Sequence, residues 1–144
     1  MSGIQGKNTK PETTIRFGLH RLGFRYRLHS PNLPGKPDMV FGRCRAVILI
    51  HGCFWHWHHC HLFKMPSTRQ EFWKQKIGRN KERDAETILE LNIQGWRVLT
   101  VWECALKGKT RLPEGRVIDL AAEWLLNGTE NLEIEGKTIS ASTD

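Results

Sequence analysis

The chain has 144 residues, which suffices for one domain with a single core. Lysine and arginine outnumber aspartate and glutamate by 22 to 15; the net charge of +7 favours a polyanionic partner. No apolar stretch approaches the roughly 20 residues of a membrane span, residues 1–7 lack a secretory signal's apolar core, and six Trp with six Phe exclude a disordered chain. One soluble, cytoplasmic domain is predicted.

The first third of the sequence predicts one helix and three short strands. A capping box that ends at Glu12 opens the helix, and Gly23 is a plausible stop. Residues 24–28 alternate between apolar and basic side chains, which is typical of a half-buried strand. Residues 39–41 and 44–50 follow a proline-rich loop and predict a β-hairpin whose second strand is fully buried.

The remaining sequence predicts a long loop, two helices and one more strand. Residues 51–67 have no regular period and predict the loop. A second capping box, which begins at Thr68, opens a helix that runs to about Leu91. Residues 96–102 predict a strand, and residues 113–126 predict the last helix.

The predicted order of elements is α-β-β-β-loop-α-β-α, which indicates an α/β fold with a mixed central sheet flanked by helices. Residues 1–128 form the predicted domain. Residues 129–144 are predicted to be a C-terminal tail that adds a weak strand or frays.

Five histidines and two cysteines lie within residues 51–61, and this density predicts a zinc site. The ligand set favoured by spacing is Cys53, His58, Cys60 and Cys104. Cys44 is a weaker choice. The spacing leaves the histidine ligand open among His56, His58, His59 and His61. The alternative is that the cysteines are small buried residues and the histidines are solvated.

Candidate catalytic groups lie on both sides of the buried strand. A closed four-ligand zinc site leaves His51 and His56 free, and a neutral imidazole can take a proton from water. Asp38 lies directly before a strand, in the layout in which a carboxylate holds magnesium. The alternatives are a hydrogen-bonded or surface role for each histidine and an ordinary turn at Asp38.

Aromatic and basic residues are interleaved around the loop and the start of the long helix, which is typical of nucleic-acid binding. The rings are those of Phe54, Trp55, Trp57, Phe72 and Trp73. Core packing competes with DNA binding for each ring, least so for Phe54 and Trp55 in the loop. The acidic residues of the helix predict an ordinary solvated face in its later half, at Glu82, Asp84, Glu86 and Glu90.

Four motifs, in this order, resemble those of the very short patch repair (Vsr) mismatch endonucleases. They are LPGKPD at 33–38, HGCFWH at 51–56, FWKQKIGRN at 72–80 and VWECAL at 101–106. The resemblance implies a restriction-endonuclease-like, PD-(D/E)XK-related fold with a structural zinc site. It further implies a magnesium-dependent enzyme that nicks double-stranded DNA on the 5′ side of the T in T:G mismatches left by 5-methylcytosine deamination.

The resemblance also assigns catalytic roles. Asp38 corresponds to the magnesium-binding carboxylate, helped by the backbone carbonyl of Ile50. His56 corresponds to the general base and His51 to a second catalytic imidazole. Glu12 matches a glutamate near the metal-bound waters, although a simple capping-box role is the alternative.

The resemblance selects the zinc ligands as Cys53, His58, Cys60 and Cys104. Three aromatic residues fall where the family inserts rings beside the mismatch from the major groove: Phe54, Trp55 and Trp73. The predicted DNA contacts also include Lys76, Arg79 and Met1, the last from the minor-groove side.

The family relationship implies a monomer with a mismatch-repair protein as partner. Two alternatives remain open from the sequence. One is a zinc-stabilised DNA-binding module without catalysis, and the other is a nickase or restriction nuclease of the same fold without mismatch specificity.

Overall fold

A computed structural model describes residues 10–137 as a five-stranded mixed sheet with three helices, which confirms the mixed α/β class. The helices are α1 (Lys10–Arg21), α2 (Gln70–Ile93) and α3 (Glu114–Asn127). The strands are β1 (Arg27–Leu28), β2 (Met39–Phe41), β3 (Ala46–His51), β4 (Arg97–Trp102) and β5 (Leu132–Ile134). Within residues 10–137 no helix has the length and hydropathy of a membrane span.

The strands lie side by side in chain order, and β3 and β4 form the buried centre of the sheet. The β1–β2 and β2–β3 pairs are antiparallel, whereas β3–β4 and β4–β5 are parallel. His51 pairs with Trp102 at the end of the β3–β4 register. The segments that leave these two strands therefore start at the same edge of the sheet, which is where ligand sites of parallel sheets form.

Helices cover both faces of the sheet. Successive side chains of β3 point to opposite faces, so its buried apolar residues need a packing partner on each side. On one face, Ile48 lies in a core with residues of α1 and α3, including Ile15, Leu19, Val117 and Ala121. On the other face, Val47 and Leu49 pack with Leu91 of α2. The helices thus clamp β3 from two sides and fix the position of the residues at its carboxyl end.

Two predicted boundaries are wrong. The strand predicted at 24–28 shrinks to Arg27–Leu28, because Phe24 and Tyr26 pack their rings against Phe41 instead of extending the ladder. The predicted capping box at Thr68 does not form. The helix starts one residue after Arg69, which has a positive φ of 53° and makes no side-chain cap hydrogen bond.

Two further predictions concern the end of α1 and the segment after α3. Gly23 does end α1: its φ of 103° lies in the left-handed region, where glycine carries no Cβ penalty. The segment after residue 128 contains β5, which pairs with β4 along the sheet edge. Met1, a predicted DNA contact, lies outside the described residues.

Candidate active site and metal centre

Asp38 lies at the start of β2, and its side chain accepts a 2.7 Å hydrogen bond from the backbone N–H of Ile50. Its carboxylate stands beside Glu12 and His29, with one ligand atom of each residue within 4.8 Å of the others. Burial raises the pKa of Asp38 to about 6; the Ile50 N–H opposes this rise and the charge of Glu12 adds to it. This site therefore favours binding of a cation.

Glu12 is far more than an exposed capping residue, because its side chain is only 1% exposed. Its Oε2 atom lies 2.6 Å from Nε2 of His29 and 3.6 Å from Nη1 of Arg16. These contacts hold the Glu12 carboxylate beside Asp38. A buried, paired carboxylate next to a second one is a common arrangement for divalent-cation binding.

His51 and His56 form a stacked imidazole pair at the carboxyl end of β3, with ring centroids 3.9 Å apart. Nδ1 of His56 is paired with Oδ2 of Asp84, and Nε2 of His51 lies 4.0 Å from Oδ1 of the same carboxylate. Burial lowers the pKa of His51 to about 3, an effect that the neighbouring His56 increases. His51 is therefore neutral, and its Nδ1 has no hydrogen-bond partner among residues 10–137.

Both groups open onto one cavity of about 620 Å³. Asp38 and His29 line it from the β2 side, and the two stacked imidazoles line it with Asp84 from the β3 and α2 side. The basic side chains of Lys36 and Arg83 also line this cavity. One cavity is therefore lined by a carboxylate, by an imidazole paired with a second carboxylate, and by basic side chains. This set of groups suits the hydrolysis of an anionic ester.

A cysteine and histidine cluster lies where the loop after β3 meets the turn after β4. Cys53 and Cys104 each come two residues after the paired His51 and Trp102, so the parallel register brings them to the same level. The ligand atoms of the cluster lie within 4.8 Å of one another, and its members are Cys53, His58, Cys60 and Cys104. This set could hold a metal ion.

Local backbone contacts shape the loop that carries three of these ligands. The N–H of His58 donates to the carbonyl of Cys53 at 2.8 Å, and the N–H of Cys60 donates to the carbonyl of His58 at 3.0 Å. Trp57 takes the left-handed conformation with φ of 51°. Burial raises the pKa of the Cys53 and Cys104 thiols, so a bound cation would be needed to keep them as thiolates.

The three aromatic residues that were predicted to contact DNA form one cluster, in the loop after β3 and near the start of α2. The ring of Phe54 lies 5.1 Å from that of Trp55 and 5.6 Å from that of Trp73, between centroids. Trp55 is 47% exposed even though it contacts other rings. Lys76 and Arg79 are exposed on α2, the helix that also carries Trp73. Together these five residues are referred to as the aromatic-basic surface.

Comparisons with known proteins agree with this geometry. Residues 1–62 match the profile of the family described as DNA mismatch endonuclease Vsr. The chain is 43% identical over 139 residues to the DNA mismatch endonuclease Vsr of Escherichia coli (strain K12), covering 96% of this chain and 89% of that one. The chain belongs to the Vsr family of DNA mismatch endonucleases.

Other relatives of this Vsr chain are nicking enzymes. It is 45% identical over 106 residues to the type II nicking enzyme V.XorIIP of Xanthomonas oryzae pv. oryzae, covering 74% of this chain and 78% of that one. It is 44% identical over 109 residues to the type II nicking enzyme V.NmeAIP of Neisseria meningitidis, covering 76% and 78%. The comparisons confirm the family resemblance and the enzyme class, which argues against a DNA-binding module without catalysis.

The predicted catalytic and metal-binding side chains of this Vsr chain fall into three neighbouring groups. The carboxylates Glu12 and Asp38 meet at the start of β2, and His51 and His56 stack at the end of β3. The four cysteine and histidine ligands come together in the cluster described above, with His58 as the histidine that the spacing left open.

Two functional residues were missed from the sequence. Asp84 was predicted to lie on a solvated face, and this is wrong, because it pairs with His56 and is only 24% exposed. Its spacing was a usable signal: Asp84 lies seven residues from each of the fully buried Ile77 and Leu91, on one helix face. His29 was also missed, because only the β1–β2 register places it beside Asp38.

Proposed function

We propose that this Vsr family member is a Mg²⁺-dependent endonuclease that nicks double-stranded DNA on the 5′ side of the T in T:G mismatches. The observation that carries the proposal is one cavity that contains both Asp38 and the His56–Asp84 pair. A phosphodiester seated there would contact a cation-binding carboxylate on one side and a proton acceptor on the other.

His56 is the general base in this proposal. An ionised carboxylate only accepts hydrogen bonds, so Asp84 keeps the proton of His56 on Nδ1 and leaves a lone pair on Nε2. Nε2 can then take a proton from the attacking water. His51 stacks on the His56 imidazole and holds the plane of that ring.

The residues around Asp38 fit a magnesium ion. Mg²⁺ prefers carboxylate and carbonyl oxygens, and Asp38, with Glu12 beside it, offers buried carboxylates. The N–H and C=O of one strand residue face the same neighbouring strand, so the Ile50 carbonyl faces the side of β3 on which its N–H meets Asp38. When bound, Mg²⁺ would polarise the phosphoryl group and stabilise the leaving oxygen.

The cysteine and histidine cluster fits structural zinc. A tetrahedral zinc site with ordinary bond lengths separates a sulfur from a nitrogen by about 3.5 Å. In the structure, Nδ1 of His58 lies 3.5 Å from Sγ of Cys53 and 3.6 Å from Sγ of Cys104. Four protein ligands leave no open position, so the zinc would fix the loop that carries His56 and the exposed rings.

The aromatic-basic surface supplies the mismatch recognition in this proposal. Trp55 and Phe54 project from the metal-tied loop, and Trp73 supports them from α2. Rings can enter a base step, and a wobble pair is opened at a lower cost than a matched pair. Lys36 and Arg83 can neutralise phosphates beside the scissile one.

The test is strand-specific nicking of an end-labelled duplex that contains one T:G mismatch, with Mg²⁺ present. We expect a single nick 5′ of the T, a much slower reaction on the T:A duplex of the same flanking sequence, and no reaction with EDTA. Asp38→Ala is expected to abolish nicking while binding of the T:G duplex survives. Binding without nicking by the unaltered chain would refute the enzyme assignment.

A second candidate is a nickase of the same fold that lacks mismatch specificity; relatives named as type II nicking enzymes are consistent with nicking by either candidate. Equal rates on the T:G and T:A duplexes would establish it in place of the first proposal. In either case the enzyme would act on DNA inside the cell as a monomer, with an endonuclease domain that comprises residues 1–128 together with β5, which pairs with β4. A mismatch-repair protein remains the proposed partner.

A further inference from the structure

The segment that follows α3 contacts the cysteine and histidine cluster at two points and the neighbouring Trp102 at a third. Oε1 of Glu135 lies 2.7 Å from Nε2 of His58, and the backbone N–H of Gly136 donates to Sγ of Cys104 at 3.3 Å. Oε1 of Glu133 accepts a 2.7 Å hydrogen bond from Nε1 of Trp102. Neither Glu133 nor Glu135 belongs to any of the four sequence motifs.

Trp102 completes this arrangement from the opposite side of the histidine. Its ring stacks on the His58 imidazole with centroids 4.1 Å apart and planes 12° apart. The edge of the same ring meets His51 at 5.2 Å between centroids. His58 is therefore held by a stacked ring on its face and by a carboxylate on its far nitrogen.

We propose that residues 133–136 form the outer shell of the metal centre and that Glu135 is a positioning residue for His58. Because the two sulfurs face Nδ1 of His58, a metal bound there requires the proton on Nε2, which then donates to Glu135. The carboxylate fixes the tautomer and the ring orientation. The proposal rests on the zinc site proposed above.

Close backbone approach supports this role for the segment. A Cβ on Gly136 would come within 2.5 Å of the Cys104 carbonyl oxygen and 2.8 Å of that of Thr110, both of them backbone atoms. Only glycine lets the chain pass close enough for its N–H to reach the Cys104 sulfur. A thiolate that accepts an N–H hydrogen bond is stabilised as a metal ligand.

The size of the expected effect follows from exposure. Loss of a hydrogen-bond partner to a metal-bound histidine typically costs 10- to 100-fold in metal affinity. The Glu135 side chain is 58% exposed, so water can partly replace it. We expect Glu135→Ala to weaken metal binding about tenfold, and Glu135→Gln, which keeps an acceptor, to weaken it less.

The experiment measures zinc transfer from the full-length protein to a chromogenic chelator and, separately, affinity for Co²⁺ from its tetrahedral absorption bands. Glu130→Ala is the matched control, because it removes an exposed carboxylate from the same segment. We expect the control to stay within twofold of the unaltered protein in both measurements. Glu135→Ala should release zinc about tenfold faster and bind Co²⁺ about tenfold more weakly.

Two results would overturn the inference, and they differ in what else they overturn. If the unaltered protein holds zinc and Glu135→Ala matches it within twofold, only the positioning role of Glu135 is wrong. If the unaltered protein binds neither zinc nor Co²⁺ at the cluster, the proposed zinc site is wrong as well.

Discussion

Replacement of Asp84 by Asn tests the assignment of His56 as the base. The carboxylate contacts both imidazoles, with Oδ2 paired to Nδ1 of His56 and Oδ1 4.0 Å from Nε2 of His51. An asparagine of the same shape removes the negative charge and can present an N–H₂ donor. The nicking rate should fall while the duplex is still bound.

The magnitude follows from the two orientations that the amide can take. If its oxygen still faces His56, a neutral hydrogen bond replaces the charge-assisted one, and the loss is about 1–1.5 kcal/mol, or roughly 5- to 13-fold in rate. If its N–H₂ group faces His56, the proton moves to Nε2 and no lone pair remains for water, a change that costs about 10⁴-fold in a comparable aspartate–histidine pair. We therefore expect a loss between about 5-fold and about 10⁴-fold, depending on the orientation that the amide takes.

The assay is single-turnover nicking of an end-labelled T:G duplex at saturating protein, with affinity measured by fluorescence anisotropy. Asp119→Asn on the exposed face of α3 is the matched control, and it should nick at the unaltered rate. A nicking rate for Asp84→Asn within threefold of the unaltered protein would refute the reasoning, since His56 would then need no carboxylate partner.

Two further substitutions test the metal centre and the aromatic-basic surface. Cys60→Ser should abolish stoichiometric zinc binding, measured by mass spectrometry, and should lower the thermal midpoint of unfolding by more than about 10 °C, because zinc binding contributes folding free energy. Cys44 lies outside the cluster, so Cys44→Ser should keep both the bound zinc and the thermal midpoint. Trp55→Ala should reduce the T:G over T:A nicking ratio about 5- to 150-fold, the equivalent of 1–3 kcal/mol of base stacking. Phe17→Ala removes a ring from α1 that is 58% exposed, against 47% for Trp55, and should leave that ratio unchanged. A matching loss in both variants would contradict a specific role for Trp55.

Local sequence patterns predicted most residues of the candidate site, because these residues lie close together in the chain. Three of the proposed metal ligands fall within residues 53–60, and ligands this close can converge without a large loop-closure cost. The strand at 44–50 was predicted from its apolar run, and β3 occupies Ala46–His51. The sequence also placed Asp38 directly before the strand predicted at 39–41, which β2 occupies.

The residues that the sequence missed act across long separations. Asp84 lies 28 residues after His56, and Glu135 lies 77 residues after His58. Asp84 was predicted to lie on a solvated face, and Glu135 was predicted only as part of the tail, because local spacing and composition do not indicate which distant imidazole a carboxylate meets. The Thr68 capping box failed for the converse reason: its local pattern fits a helix start that the preceding loop does not adopt.

From its residues alone, then, this protein reveals its class, its family and the residues that could bind a metal ion, since these depend on composition and on spacing within short segments. The tertiary structure decided which groups meet. The parallel register of β3 and β4 brings Cys53 level with Cys104, and α2 delivers Asp84 to His56. Such pairings depend on how strands and helices pack, and packing is a property of the whole chain.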